Sequence, residues 1–286
     1  MKLAIIGANG QLGTDLCEVF SANHKVIELN HADIEITDLD NVRSVLTLTK
    51  PDFVFNTAAY NLVADAEKFP AKAFEINGTG VLNLARVCQD LGIRFVHYST
   101  DYVFDGKKQN PYQEDDLPNP LNVYGSSKLV GEYFALNYCE KTFVIRVSGI
   151  YGKVPSRSKG GNFITSIVRQ AREKHEVRVV NDEILTPTPT LHIAKNSGSL
   201  IDTDAFGLYH MSCEGQCSWY EFARVIWETL QLETPLVPVS VRDFPLTVRR
   251  PFYSVLENKK LNELRINQMP GWKEALREFL RTFWVK

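Results

Sequence analysis

The opening stretch constrains the fold more than any other. Lys2-Leu-Ala-Ile-Ile-Gly7-Ala-Asn-Gly10-Gln-Leu-Gly13 passes from an apolar strand into a glycine turn, and Leu16, Val19 and Phe20 continue at helical spacing. Strand, glycine turn and helix in that order begin most dinucleotide-binding folds. Glycines permit the tight turn and let a pyrophosphate approach backbone N–H groups at a helix N-terminus, where the dipole favours an anion. Here the spacing is G-x-x-G-x-x-G rather than G-x-G-x-x-G, so a plain glycine-rich turn stays open as the alternative.

The segments that follow extend the pattern. Lys25–Leu29 reads as a second strand, followed by Asn30 and His31 rather than by the carboxylate that holds an adenosine ribose in many NAD-specific folds. That leans the cofactor towards NADPH, with NADH also admitted. Residues 33–37, including Glu35 and Ile36, are expected beside the adenine, and Asp38 is expected to cap the helix Leu39–Thr49. Asp52-Phe-Val-Phe-Asn-Thr-Ala58-Ala59-Tyr60 is a continuous apolar strand of the parallel-sheet kind, with small residues at its end that leave room for a ligand. Residues 71–91 read as one long helix in which Asn77, Gly78 and Gly80 allow close packing. Asn9, Gln11, Leu12, Asn30, Glu35, Ile36, Ala58, Ala59 and Tyr60 join Gly7, Gly10 and Gly13 as the expected cofactor set.

Chemistry concentrates further on. The strand at 93–100 ends on Ser99-Thr100, with Asp101 next, at the strand edge that would face the glycine turn. Tyr124-Gly-Ser-Ser-Lys128 places a phenol and an amine one helical turn apart on one face. A fixed ammonium there is expected to lower the tyrosine pKa and ready the phenol for proton transfer. Taken alone, the spacing also fits an exposed helical pair.

Composition excludes other classes. The chain has 286 residues, is 44% hydrophobic and 23% charged, and carries a net charge of −2, which gives no pull towards nucleic acid or anionic membrane. No apolar run reaches the ~20 residues of a membrane span, and the apolar N-terminus is too short for a signal peptide. Five cysteines (Cys17, Cys88, Cys139, Cys213 and Cys217) form neither an even disulfide framework nor a zinc pattern. They read as reduced thiols of a cytoplasmic protein.

Together, Gly7-x-x-Gly10-x-x-Gly13, Ser99-Thr100 and Tyr124-x-x-x-Lys128 resemble the extended short-chain dehydrogenase/reductases. Ser99-Thr-Asp-Tyr-Val-Phe-Asp-Gly106, Asn119-Pro-Leu-Asn-Val-Tyr-Gly125, Gly207-Leu-Tyr-His-Met-Ser212 and Arg249-Arg-Pro251 narrow the likeness to the dTDP-4-dehydrorhamnose reductases. The resemblance runs through essentially the whole chain. It implies an α/β fold: a doubly wound parallel Rossmann sheet (residues 1–150 plus about 177–212) with a smaller discontinuous substrate domain (about 151–176 and 213–286). It implies NADPH-dependent reduction of a dTDP-linked keto-deoxy sugar, with Thr100, Tyr124 and Lys128 catalytic. Val63, Thr100, Asp101, Tyr102, Asn162 and Arg250 are the implied substrate contacts.

The sequence also departs from that family. Gly149 stands where the family usually carries a tryptophan of the nucleotide-sugar pocket. Leu191 stands where some members have a glutamate that binds magnesium at a dimer contact, although Asp15 could replace another such ligand. No metal site is therefore assigned, a magnesium requirement is left open, and the protein is expected as a monomer or homodimer. Two other readings are kept: a reductase of another nucleotide-linked keto-deoxy sugar, and a non-catalytic NADP-binding subunit, the latter because the fold also resembles the regulatory subunit of methionine adenosyltransferase. The complete Thr–Tyr–Lys set speaks against the latter.

Overall fold

Leu3, Ala4, Ile5 and Ile6 are all buried, because strand β1 (Lys2–Ile6) lies within a parallel sheet covered on both faces. The computed structural model describes residues 1–155, 160–244 and 247–284. After β1 come α1 (Gln11–Ser21), β2 (Lys25–Leu29), α2 (Leu39–Thr49) and β3 (Phe53–Asn56). The helices α3 (Val63–Lys68), α4 (Pro70–Phe74) and α5 (Gly80–Leu91) lead to β4 (Arg94–Thr100). The chain then forms α6 (Val123–Tyr138), β5 (Thr142–Val147), β6 (Ile150–Tyr151), α7 (Phe163–Glu173) and β7 (Val177–Val180). Next are β8 (Ile184–Leu185), β9 (Thr188–Pro189), α8 (Thr190–Ile201) and β10 (Gly207–His210). The last elements are β11 (Cys217–Ser218), α9 (Trp219–Leu230), β12 (Leu236–Val239), α10 (Lys259–Glu263) and α11 (Trp272–Phe283).

Six strands form the central parallel sheet in the order β10-β5-β4-β3-β1-β2. The order reverses between β1 and β3, and the crevice beyond their C-terminal ends is where such sheets receive ligands. Alternating side chains serve opposite faces. Leu3, Ile5, Phe53 and Phe55 join one core with Leu16 of α1 and Ile193 of α8. Ala4, Ile6 and Val54 join the other, with Val42 of α2 and Leu84 of α5. The first core runs on through Phe222, Trp272 and Leu276, so the second half of the chain packs against the same apolar mass. The small pairs β7–β12, β8–β11 and β6–β9 lie beside it.

Local chemistry sets the helix starts. Asp38 accepts from the N–H groups of Asp40 and Asn41 and caps α2, as its position predicts. Ser218 and Glu221 form a reciprocal capping box on α9. The helix expected over 71–91 is broken: a five-residue π turn, Glu75–Thr79, separates α4 from α5. There the Asn77 side chain leaves the helix to receive the Tyr60 N–H (2.8 Å) and donate to the Tyr60 carbonyl (3.0 Å) and to Ser127 Oγ (2.9 Å). Asn77 is thus a hydrogen-bonding bracket, whereas the sequence suggested only close packing. Residues 251–256 are no regular strand; they are pinned by isolated bridges of Leu256 to Tyr112 and of Tyr253 to Ile184.

Candidate active site

Thr100 closes β4 and Tyr124 lies in the first turn of α6. Asn122 caps that helix by accepting from the Gly125 N–H at 2.8 Å, while its amide donates to the Arg249 carbonyl at 2.8 Å. Gly125 has a specific reason: a Cβ there would sit 2.2 Å from the Tyr102 carbonyl oxygen. The close approach brings the start of α6 against the turn 101–103. As a result the Tyr124 phenol lies beside Thr100, whose hydroxyl moderates its pKa, and the Tyr102 and Tyr124 rings meet edge to face at 5.8 Å.

Lys128 is buried one turn further along. Its Nζ donates to the Tyr98 carbonyl at 2.6 Å and lies 3.4 Å from His97 Nε2. Burial pushes its pKa down to about 8, against the opposing pull of Glu132. Burial pushes Tyr124 up to about 12, and its contact with Thr100 only moderates the rise. This corrects the expectation that Lys128 depresses the phenol. With its amine held by the Tyr98 carbonyl and beside His97, the lysine is turned to β4, and desolvation dominates at Tyr124.

Asp101 is implied as a substrate contact, yet it is 4% exposed. Its carboxylate accepts from Thr100 Oγ1 at 3.0 Å, Ser148 Oγ at 2.9 Å and Ser254 Oγ at 2.6 Å. It supports the site from beneath. Asn162 is likewise engaged: its oxygen accepts from the Thr165 N–H at 3.0 Å to cap α7, and its amide donates to the Gly152 carbonyl at 3.1 Å. Val63 starts α3, which packs on α6, and the Val123 N–H donates to Glu67 at the far end of the same helix. Arg250 is exposed, and its charge acts on Tyr102 and on the buried Glu183. Glu183, whose carboxyl is raised by burial and hydrogen-bonded by Trp219, is a site neighbour that sequence reasoning missed. So are Asn56, Asn77, His97, Ser148 and Ser254. Asn56 and His97 were the readable signals, each a polar residue directly after an apolar run, Phe53-Val-Phe55 and Phe95-Val96.

At the other edge of the crevice, Gly7 adopts φ +78°, and its N–H donates to the Leu29 carbonyl at 2.8 Å. A Cβ on Gly13 would lie 2.2 Å from the Gly7 oxygen, and one on Gly10 would lie 3.0 Å from it. The N-cap of α1 is Gly10, which has no side chain to cap it, so the first N–H groups of the helix can serve as an anion cradle. Buried Gln11 Oε1 has no hydrogen-bond partner among the described residues, and Leu12 is buried next to it. Asn30 Oδ1 accepts from the Asn9 N–H at 3.0 Å and ties the turn to the end of β2. His31 is exposed, 3.4 Å from Glu35. Glu35 turns back onto Thr37, whose N–H and hydroxyl it accepts at 3.0 and 2.8 Å. Ile36 is buried against Gly80 and joins the core. Ala58, Ala59 and Tyr60 are half-buried where β3 ends, with the Ala58 N–H donating to Asn56 at 3.1 Å.

This sheet, cradle and Thr–Tyr–Lys arrangement define a class: an NAD(P)H-dependent oxidoreductase of the short-chain dehydrogenase/reductase type. The chain belongs to the family described as RmlD substrate binding domain, whose model matches residues 1–285. It is 39% identical over 281 residues to the spore coat polysaccharide biosynthesis protein SpsK of Bacillus subtilis, covering 98% of this chain and 97% of that one. It is 35% identical to a dTDP-4-dehydrorhamnose reductase of Burkholderia thailandensis, covering 96% and 97% of the two chains. The crystal structure of dTDP-4-dehydrorhamnose reductase from Bacillus anthracis in complex with NADP superposes with a TM-score of 0.94 at 35% identity, over 98% of this chain and 99% of that one.

Proposed function

We propose that the protein reduces the C4 ketone of dTDP-4-dehydro-L-rhamnose to give dTDP-L-rhamnose, using NADPH. The observation that carries this reading is the joining of Thr100 and the Tyr124 phenol at the C-terminal edge of the sheet, with Lys128 buried one turn away. The family relationship supports the substrate class, and the NADP complex of the Bacillus anthracis relative supports the cofactor.

The residues present fit a dinucleotide. Gly7, Gly10 and Gly13 leave a cradle that side chains would fill, and uncapped α1 presents N–H donors suited to a pyrophosphate. Bound there, NADPH supplies the hydride. Tyr124 is protonated at neutral pH, since its pKa is raised to about 12, and it donates its proton to the developing alkoxide. Thr100 hydrogen-bonds the same oxygen. Lys128 holds the cofactor ribose. Tyr102 and Val63 border the hexose, and Arg250 offers a guanidinium to the diphosphate. The Rossmann part of the chain (1–150 and about 177–212) carries the cofactor and, through Val63, Thr100 and Tyr102, one side of the hexose, and the remainder carries the rest of the sugar nucleotide.

The test is the loss of NADPH absorbance when dTDP-4-dehydro-L-rhamnose is added. Consumption of one equivalent of NADPH per sugar reduced is expected. Absence of turnover in protein that still binds NADPH would overturn the reading.

A further inference from the structure

Asn56 and His97 are both fully buried, on neighbouring strands, behind Lys128. Asn56 closes β3 after Phe53, Val54 and Phe55, and His97 follows Phe95 and Val96 in β4, so two polar side chains sit beside apolar neighbours with no access to water. Their hydrogen bonds fix more than their places. Asn56 Oδ1 receives the Ala58 N–H at 3.1 Å, so its amide nitrogen faces His97 Nδ1, 3.2 Å away. An amide nitrogen can only donate there, which makes Nδ1 the acceptor and leaves the ring proton on Nε2. Nε2 in turn lies 3.4 Å from Lys128 Nζ.

We propose that Asn56 and His97 are positioning residues for Lys128: they hold the imidazole in its Nε2–H form, so that the amine meets a donor on that side and directs its own donors to the Tyr98 carbonyl and the open side of the site. The inference rests on the reductase reading, in which Lys128 is the lysine of the reaction. An N–H pointed at an ammonium weakens that ammonium's hold on its proton, whereas a neutral amine can accept from it. Burial acts in the same direction, since Lys128 is lowered to about 8. The other groups around the amine cannot reverse this. Glu132, on the same helix, favours the ammonium, but its carboxylate is taken up by Arg146 of β5 at 2.9 and 2.7 Å and by Ser99 of β4. Tyr124, also on α6, is uncharged at neutral pH. His97 itself is held well below its usual pKa by burial and by Lys128, so it stays a neutral ring with one proton to place.

The experiment is nuclear magnetic resonance on the full chain without cofactor or substrate, carrying 15N-histidine and 13C-lysine, from about pH 6 to about pH 10. Lys128→Met identifies the Lys128 signal. The expected result is a His97 ring protonated on Nε2 throughout and a Lys128 titration midpoint near 8. In Asn56→Asp the carboxylate accepts from Nδ1–H, the ring turns its Nε2 lone pair to the amine, and the midpoint should rise by about one pH unit or more. Asn56→Leu, which buries no new charge, frees the tautomer and should move the midpoint the same way. A wild-type ring protonated on Nδ1, or an unmoved midpoint in either folded variant, overturns the proposal. The readout needs no activity. Missing turnover with an intact tautomer pattern would therefore count against the reductase reading alone.

Discussion

The Ser254 hydroxyl donates to the Asp101 carboxylate at 2.6 Å across 153 positions of sequence. Ser148 reaches the same carboxylate oxygen at 2.9 Å, and Thr100 reaches the other at 3.0 Å. One buried acid thereby joins the end of β4, the residue just past β5 and the C-terminal segment, directly beneath the Thr100–Tyr124 contact.

That carboxylate should leave a signature in the pH dependence of stability. Burial raises the Asp101 pKa above 3.8, although its three hydroxyl donors oppose the rise. An acid raised in the folded state binds its proton more tightly there. Its stabilising contribution is complete below the unfolded value and is lost as pH rises through the folded one. Asp101→Asn carries no such proton. Its stability relative to wild type should therefore improve as pH rises from the ordinary carboxylate value of 3.8 through the raised folded value. Denaturant unfolding at several pH values measures this, and a stability difference independent of pH would refute it.

Tyr124→Phe keeps the ring and removes the proton donor. Turnover should fall by roughly 10²–10⁴-fold while NADPH affinity changes little. In the wild type, reduction should be steady below the Lys128 midpoint near 8 and decline above it as the ammonium is lost. Near-normal turnover of the phenylalanine variant would remove Tyr124 from the chemistry.

The glycines of the turn should separate into two kinds. A Cβ on Gly13 meets backbone at 2.2 Å, so Gly13→Ala should cost about 1–3 kcal/mol of stability. A Cβ on Gly10 meets only the Gly7 oxygen at 3.0 Å. Gly10→Val should leave the fold largely intact and obstruct the pyrophosphate, which calorimetric titration with NADPH would show as a large loss of affinity. Equal loss of stability in both variants would mean that Gly10, too, is there for packing.

Much of this was legible because local rules and tertiary structure agree. The glycine turn, the Asp38 cap, the apolar β3 and the Tyr124–Lys128 spacing each follow from neighbours in sequence. What could not be read depends on distant partners. Asn162 looks free to bind a ligand until its cap on α7 is seen. Asp101 looks open until Ser148 and Ser254 close over it. The π turn at Glu75–Thr79 follows a helical pattern in sequence, and only the pull of Tyr60 and Ser127 on Asn77 explains the wider turn. The lysine's effect on Tyr124 was misjudged because spacing gives proximity along a helix, whereas burial and hydrogen-bond direction set the pKa.

Gly149 looked like a missing wall, and the structure shows what stands there. Its φ is +53°, and an added Cβ would lie 2.8 Å from Leu185 Cδ1 and 3.1 Å from the Pro187 Cα. The space beside Gly149 is therefore filled from the β8–β9 segment. Gly149→Ala should be destabilising by about 1–3 kcal/mol, since it adds both backbone strain and a clash. Leu185, 5% exposed, should cost about 2–5 kcal/mol when cut to alanine. Combining the two should cost less than their sum, because the shortened side chain relieves the clash, and a coupling of about 0.5–3 kcal/mol is expected. If Leu185 stands in for the family's tryptophan, Leu185→Ala should also raise KM for the dTDP-linked sugar while kcat holds. It should narrow the preference for that sugar over its UDP- and GDP-linked analogues, measured side by side by NADPH consumption. Additive stabilities with an unchanged sugar-nucleotide preference would show that Leu185 is core and that the pocket is walled elsewhere.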